Sequence, residues 1–234
     1  MVSSIYKKTF SVLMKRPFRL WGISLLAEFL CLVAYAGFIG VPAAAFCAAL
    51  LLSASMSMIF LNSYRTGLEP KTSYLFASFK KDRILRVLGG MAWMQLWIFL
   101  WSLIPIVGIV FGIIRMYEYR FVPYILMTRD DVKPTDAIKI SKQETMGYKG
   151  KMFGADILLG AVYLGAFLVF TLLGEIPYLG VLFRILWVLI AIAYGLLAPL
   201  FSGIMHAAFY VEIQNRRAAG SWHPAAPARP DWPT

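Results

Sequence analysis

Six long apolar runs, at residues 20 to 40, 42 to 62, 85 to 104, 106 to 127, 153 to 174 and 178 to 211, are joined in pairs by tight turns, and polar stretches flank the pairs. Each is near or above the roughly 20 residues that a helix needs to cross a hydrocarbon core about 30 Å thick. The pattern predicts an all-α polytopic membrane protein. Its six transmembrane helices form three hairpins within a single membrane domain over residues 1 to 217. Residues 218 to 234, with Pro224, Pro227, Pro230 and Pro233 among alanines, read as a disordered tail.

The polar stretches carry a pattern of their own. Residues 3 to 16 place Tyr6, Phe10 and Leu13 near one helical face beside Lys7, Lys8, Lys15 and Arg16. Residues 71 to 83 mix Tyr74, Leu75, Phe76 and Phe79 with Lys71, Lys80, Lys81 and Arg83. That is the composition of an amphipathic helix lying in the headgroup plane on the cytoplasmic side. Residues 134 to 147 open with Pro134, Thr135 and Asp136, a good helix start, and Gly147 can end the helix. This third segment is only weakly amphipathic.

Composition agrees with the pattern: 60% of residues are hydrophobic, 15% are charged and mean hydropathy is +0.69, outside the range of a soluble domain. Charge then fixes an orientation. All but Arg184 of the 23 Lys and Arg residues fall in four stretches, before the first run, between the second and third, from Arg115 to Lys151, and after the last run. The positive-inside rule places these stretches and both termini on the cytoplasmic side. The net charge of +11 is then a one-sided surface facing anionic lipid headgroups, which attract juxtamembrane basic residues at about 1 kcal/mol each. Lys7, Lys8, Lys80, Lys81, Lys149 and Lys151 are the headgroup candidates. A protein partner at this face is a further possibility, whereas nucleic acid is excluded as a partner because no compact soluble module presents the charge. Ala34-Tyr35-Ala36 resembles a signal-peptide cleavage site, but Glu28 interrupts the apolar run and a second run follows at once.

A weak threefold repeat, over residues 1–62, 66–128 and 130–215, is suggested by two matches. Ile104-Pro105-Ile106-Val107-Gly108 and Ile176-Pro177-Tyr178-Leu179-Gly180 sit at outer turns, with Gly40-Val41-Pro42 a shorter relative. Arg65-Thr66-Gly67-Leu68-Glu69-Pro70 aligns with Arg129-Asp130-Asp131-Val132-Lys133-Pro134. Turn chemistry alone can produce part of the first match.

Residues 104 to 153 carry a resemblance. Ile104-Pro105, Tyr119, Pro123-Tyr124-Ile125-Leu126, Asp131, Ala137-Ile138, Ser141, Met146-Gly147-Tyr148-Lys149 and Phe153 follow the ordering of an uncharacterised bacterial membrane-protein family, domain of unknown function nine-seven-five. That family is similar to the membrane portion of some glycerophosphodiester phosphodiesterases. Pro199 and Ala208-Phe209-Tyr210 agree loosely. The resemblance implies a six-span helical domain in a bacterial cytoplasmic membrane and no established activity. Arg115, Glu118 and Arg120 depart from the family pattern, which has mostly small or neutral polar residues there.

Ionisable residues inside a bilayer are costly and are functional candidates by default. Glu28 lies about nine residues into the first run, near mid-bilayer at a rise of 1.5 Å per residue. Arg115 reaches a similar depth if the fourth run is one continuous helix. The expected constellation is a Glu28 to Arg115 pair, with Glu118 one turn on and Tyr117 or Tyr119 nearby. It reads as a structural ion pair, as a ligand or proton site, or as a fourth run that leaves the membrane early. Trp93, Trp97 and Trp101 share a helical face and either line an amphiphile groove or anchor at lipid. The ligand-binding candidates are thus Glu28, Arg115, Glu118, Tyr119 and Trp97. Asp156 and Arg184 read as interfacial anchors, and His206 as a structural histidine rather than a metal ligand. Gly160, Gly165, Gly195 and Gly203 read as sites of close helix approach. Cys31 and Cys47 read as inert packing residues.

No hydrolase, zinc or phosphate-loop motif is present, so no catalytic residue, metal or cofactor is expected and the chain is read as not an enzyme. The functional expectation is an integral membrane protein that binds or transports an amphipathic or anionic small molecule or lipid. The alternative is a non-transporting scaffold or anchor that recruits a partner or organises lipid.

Overall fold

The computed structural model describes residues 1–15, 17–37, 42–67, 71–104 and 107–219, and every regular element among them is helical. Arg16, the turn residues 40–41 and 105–106, residues 68–70 of the second repeat match, and residues 220–234, which include Arg229 and most of the expected tail, lie outside the described residues.

α1 (Val2–Lys15) and α2 (Pro17–Gly37) lead into α3 (Pro42–Thr66), the central helix. α2 and α3 each begin at a proline, whose fixed φ suits a first turn and whose missing N–H would have had no partner there. α3 stops where Gly67 takes a φ of +62° and returns its N–H to the Ser63 carbonyl at 3.0 Å. α1 lies against α9 with Ile5, Thr9 and Leu13 buried at helical spacing and Lys7 and Lys8 exposed. Phe10, expected on the apolar face with Leu13, points outward instead. The 71–83 segment forms a 3₁₀ turn over residues 72–79 rather than an α-helix. Serines dock it: Ser78 Oγ donates to the Leu51 carbonyl of α3 and meets Ser55 Oγ, each at 2.7 Å.

The chain continues through α4 (Ile84–Ser102), α5 (Val107–Glu118), α6 (Val122–Thr128), α7 (Pro134–Thr145), α8 (Lys149–Leu173) and α9 (Gly180–Ala218). Five helices, α2, α3, α4, α8 and α9, are long and apolar enough to cross a membrane. The fourth apolar run is not among them, which corrects the expectation of one continuous helix over 106 to 127. It divides into α5 and α6 around residues 119–121. Pro123 explains the break: it has no N–H for the Tyr119 carbonyl four residues back, and its ring crowds that carbonyl.

α5 and α6 together still return the chain along α4. The far end of α4 leads into α5, and the residues after α6 meet the start of α4, where Arg83 and Arg86 each bond Asp130 at 2.6 Å. Arg86 also donates to the Leu126 and Arg129 carbonyls at 2.7 Å, pairing acceptors that the end of α6 leaves open. At the same end, Arg129 bonds the buried Glu144 of α7 at 2.6 Å, and Arg217 near the end of α9 lies 3.5 Å from it. Burial opposes the charge on Arg129, but the Glu144 carboxylate outweighs it and raises the guanidinium pKa above its ordinary value. α7 ends just before Gly147, whose φ of +80° closes the helix expected from Pro134 and Gly147.

The core is concentrated toward this basic end. α6 is buried over Val122 and Tyr124 to Met127, and α9 is buried from Leu200 to Tyr210 except at Phe201, Ser202 and Gly203. Pro199 marks the boundary within α9. Between Val181 and Pro199 no residue of α9 is buried, and neither is any residue of α8 beyond Ala155.

Candidate functional site

The helix break carries the polar chemistry. In an apolar surrounding each interrupted backbone group must find another partner, and α7 supplies it. Ser141 Oγ donates to the Glu118 carbonyl at 2.7 Å and accepts the Phe121 N–H at 3.2 Å, while Thr145 Oγ1 reaches the same carbonyl at 3.3 Å. The turn 119–121 is thereby a fixed structure, and it aims the side chains of Glu118, Tyr119 and Arg120 in different directions.

Glu118 is 4% exposed and lies between two cations. Lys149, the first residue of α8, bonds its Oε1 at 2.6 Å, and Arg115 bonds its Oε2. The Arg115 guanidinium also sits 4.9 Å from the centre of the Trp101 ring. These contacts correct two expectations. Arg115 takes Glu118 as its carboxylate rather than Glu28, and Lys149 is engaged in an ion pair rather than free for headgroups. Glu28 is exposed on the outside of α2 because the buried stripe of that helix is Leu20, Ile23 and Ala27. Among the described residues no ion pair involves it.

On the other side of the turn, four residues converge, one each from α5, the turn itself, α8 and α9. Tyr117 donates its hydroxyl to Asp156 Oδ2 at 2.7 Å, and His206 Nε2 lies 3.2 Å from the same oxygen. Arg120 Nη2 lies 2.9 Å from His206 Nδ1 and 3.2 Å from Nε2. Asp156 and His206 therefore belong to one hydrogen-bonded chain. No carboxylate among the described residues lies within ion-pair distance of Arg120.

Arg120 and His206 face a cavity of about 380 Å³ between α3, α4, the α5–α6 turn and α9. Ser53, Ser57, Gln95 and Ser202 line it with polar groups, and Met56, Met91, Met94 and Met116 line it with flexible apolar ones. Tyr119, one of the ligand-binding candidates, lines this wall. Trp97 is not: its ring is 37% exposed and sits edge-on to Trp93 at 5.9 Å, whereas the cavity face of α4 is Met91, Met94, Gln95 and Ile98. Gly203 allows α9 to approach α3, since a Cβ there would lie 2.4 Å from Phe60 Cε2. Gly160, Gly165 and Gly195 have nothing within 4 Å of such a Cβ and do not serve close approach. A second cavity, apolar and of about 380 Å³, lies between α5 and α8, lined by Val110, Ile113, Ile114, Phe153, Lys149 and the ring of Tyr117.

The remaining headgroup candidates, Lys7, Lys8, Lys80, Lys81 and Lys151, are exposed, with Lys8 over the Tyr64 ring and Lys151 over the Tyr148 ring at 4.4 and 5.2 Å. The inner group of charges comprises Arg115, Arg120 and Lys149 against Glu118 and Asp156. Three cations less two anions leaves one positive charge when His206 is neutral.

No protein family, curated protein or solved structure matches this chain. The site is therefore read from its own residues. Sequence reasoning missed Arg120 as its centre and the convergence of Tyr117, Asp156 and His206 on it. The signal for the first was Pro123, which a helix interior does not accept without rearrangement. The second had no local signal, because residues 117, 156 and 206 share no helical spacing.

Proposed function

We propose that this chain is an integral membrane protein that binds an anionic amphiphile in the cavity beside Arg120, the capability that a small transporter or lipid-handling protein requires. The observation that carries the reading is Arg120 itself, a guanidinium on a cavity wall, bonded to an imidazole and, among the described residues, to no carboxylate. Asp156 balances this charge only from across the imidazole, and a guanidinium with no anion in direct contact is costly in such a setting. A carboxylate, sulfonate or phosphate group supplies the pair, and guanidinium presents a fork of donors suited to it. The methionines offer an adaptable surface to an apolar tail, and the volume falls within the range of small-molecule sites.

In this reading the basic end of the bundle is cytoplasmic, in a bacterial cytoplasmic membrane, and α5 with α6 forms a sixth, broken crossing. Broken helices at a ligand site are the arrangement that transporters use to bring backbone and charge into a bilayer. The exposed lysines of that end face anionic headgroups.

Native mass spectrometry of protein extracted with its surrounding lipid tests the proposal. Wild type is expected to retain a defined anionic amphiphile that Arg120→Gln loses. Identical adducts on both proteins would overturn it, and a stoichiometric soluble protein in place of any amphiphile would favour the scaffold reading.

A further inference from the structure

We propose that anion binding at Arg120 is coupled to the uptake of one proton by His206, an inference that rests on reading the cavity as an anion site. The hydrogen bonds around the imidazole assign its state. Arg120 Nη2 is nearer to Nδ1 than to Nε2, 2.9 against 3.2 Å, and because a guanidinium only donates, the nearer contact favours a lone pair on Nδ1. Nε2 faces the acceptor Asp156 Oδ2 at 3.2 Å and therefore carries the hydrogen. His206 is thus held as the neutral Nε2–H tautomer, with a cation against its basic nitrogen.

An anion entering the cavity competes for that cation. When the guanidinium turns to the anion, Nδ1 loses its donor and the adjacent positive charge is neutralised. Nδ1 then takes one proton from water. The imidazolium so formed keeps its Nε2–H on Asp156. When the anion leaves, Arg120 returns to Nδ1 and the proton goes back to water. One N–H bond forms as one O–H bond of a solvent hydronium breaks, and the reverse occurs on release.

The groups around the ring leave His206 as the one that changes charge in the neutral range. Arg120 comes from the α5–α6 turn, and Asp156 comes from α8 with the Tyr117 hydroxyl of α5 on it. α1 contributes Tyr6, whose hydroxyl is donated to the Ala155 carbonyl at 2.5 Å, and α6 contributes Tyr124 on the cavity wall. α3 and α4 present serines, methionines, Phe60, Ile98 and Gln95 to the cavity, and Glu28 of α2 points away from the bundle. Tyrosine and arginine do not exchange protons near pH 7, whereas imidazole does. The sign follows from linkage: a ligand that favours the protonated ring binds more tightly as pH falls.

The test is calorimetric titration of the full chain, in discs of zwitterionic phosphatidylcholine, with 1-decanesulfonate, whose charge does not change with pH. Running it in two buffers of different ionisation enthalpy counts protons directly. The expected result is saturable binding with uptake of about one proton per anion at pH values between the anion-free and the anion-bound pKa of the ring, where affinity rises up to about tenfold for each pH unit lowered. His206→Gln, which keeps an acceptor for Arg120, is expected to bind without proton uptake. Wild-type binding that is independent of pH and buffer overturns the coupling and leaves the anion site standing. Undiminished proton uptake in His206→Gln also overturns it. Absence of saturable binding to wild type overturns both the coupling and the anion site.

Discussion

The hydroxyl of Ser141 donates to the carbonyl of Glu118 at 2.7 Å, across the point where the fourth apolar run breaks. It simultaneously takes the Phe121 N–H, so one buried side chain from α7 replaces the backbone pairing that the turn interrupts. Ser141→Ala leaves a buried donor and a buried acceptor short of a partner, at a cost of about 1–3 kcal/mol. Thermal inactivation in mild detergent is expected to fall by several degrees, whereas Ser57→Ala, on the cavity wall of α3, leaves it nearly unchanged. Equal effects of the two would detach Ser141 from the break.

Glu118 and Glu28 are both carboxylates within apolar stretches, but their surroundings differ in sign. Glu118→Gln leaves Arg115 and Lys149 without their anion in a buried place, a loss of roughly 3–5 kcal/mol. Glu28→Gln removes an exposed charge from the outside of α2 and is expected to keep or raise stability, by up to about 3 kcal/mol. Folded yield from membranes and resistance to unfolding check both variants. A larger loss from Glu28→Gln than from Glu118→Gln would reverse this ranking.

The contrast also shows what was legible in the chain. Helix existence followed from the length of apolar runs, and the ends of α7 followed from Pro134 and Gly147; Pro17, Pro42 and Gly67 mark helix ends in the structure by the same local backbone effects. Depth along a helix was equally accessible, which is why Glu28 and Arg115 drew attention together. Depth does not fix which way a residue faces. At 100° per residue Glu28 stands beside Ala27 but off the stripe of Leu20, Ile23 and Ala27, and Trp97 stands off the stripe of Met91, Met94 and Ile98 in the same manner. Only packing decides which stripe turns inward when every side of a helix is apolar. The approach of His206 to Arg120 and Asp156 depends on that packing, and it left no mark in the local sequence.

Gly203 links packing to the cavity. Its Cα lies so near Phe60 that a methyl group would force the ring to move, and Phe60 lines the cavity. Gly203→Ala is therefore expected to weaken 1-decanesulfonate binding severalfold by swinging the ring inward. Adding Phe60→Ala should restore part of the loss, whereas Gly160→Ala should have no effect on affinity. Titration of the four proteins checks this, and a Gly203→Ala variant with wild-type affinity would show that the ring moves elsewhere.

The central claim is that Arg120 supplies the charge for an anionic ligand, and the most direct measurement is the affinity of 1-decanesulfonate for wild type and Arg120→Gln, with 1-decanol as the neutral comparison. Loss of a charge-assisted contact of about 1.5–3 kcal/mol predicts binding roughly 10- to 100-fold weaker for the sulfonate in the variant, with decanol unchanged. Equal sulfonate affinity in the two proteins, both folded, would contradict the account.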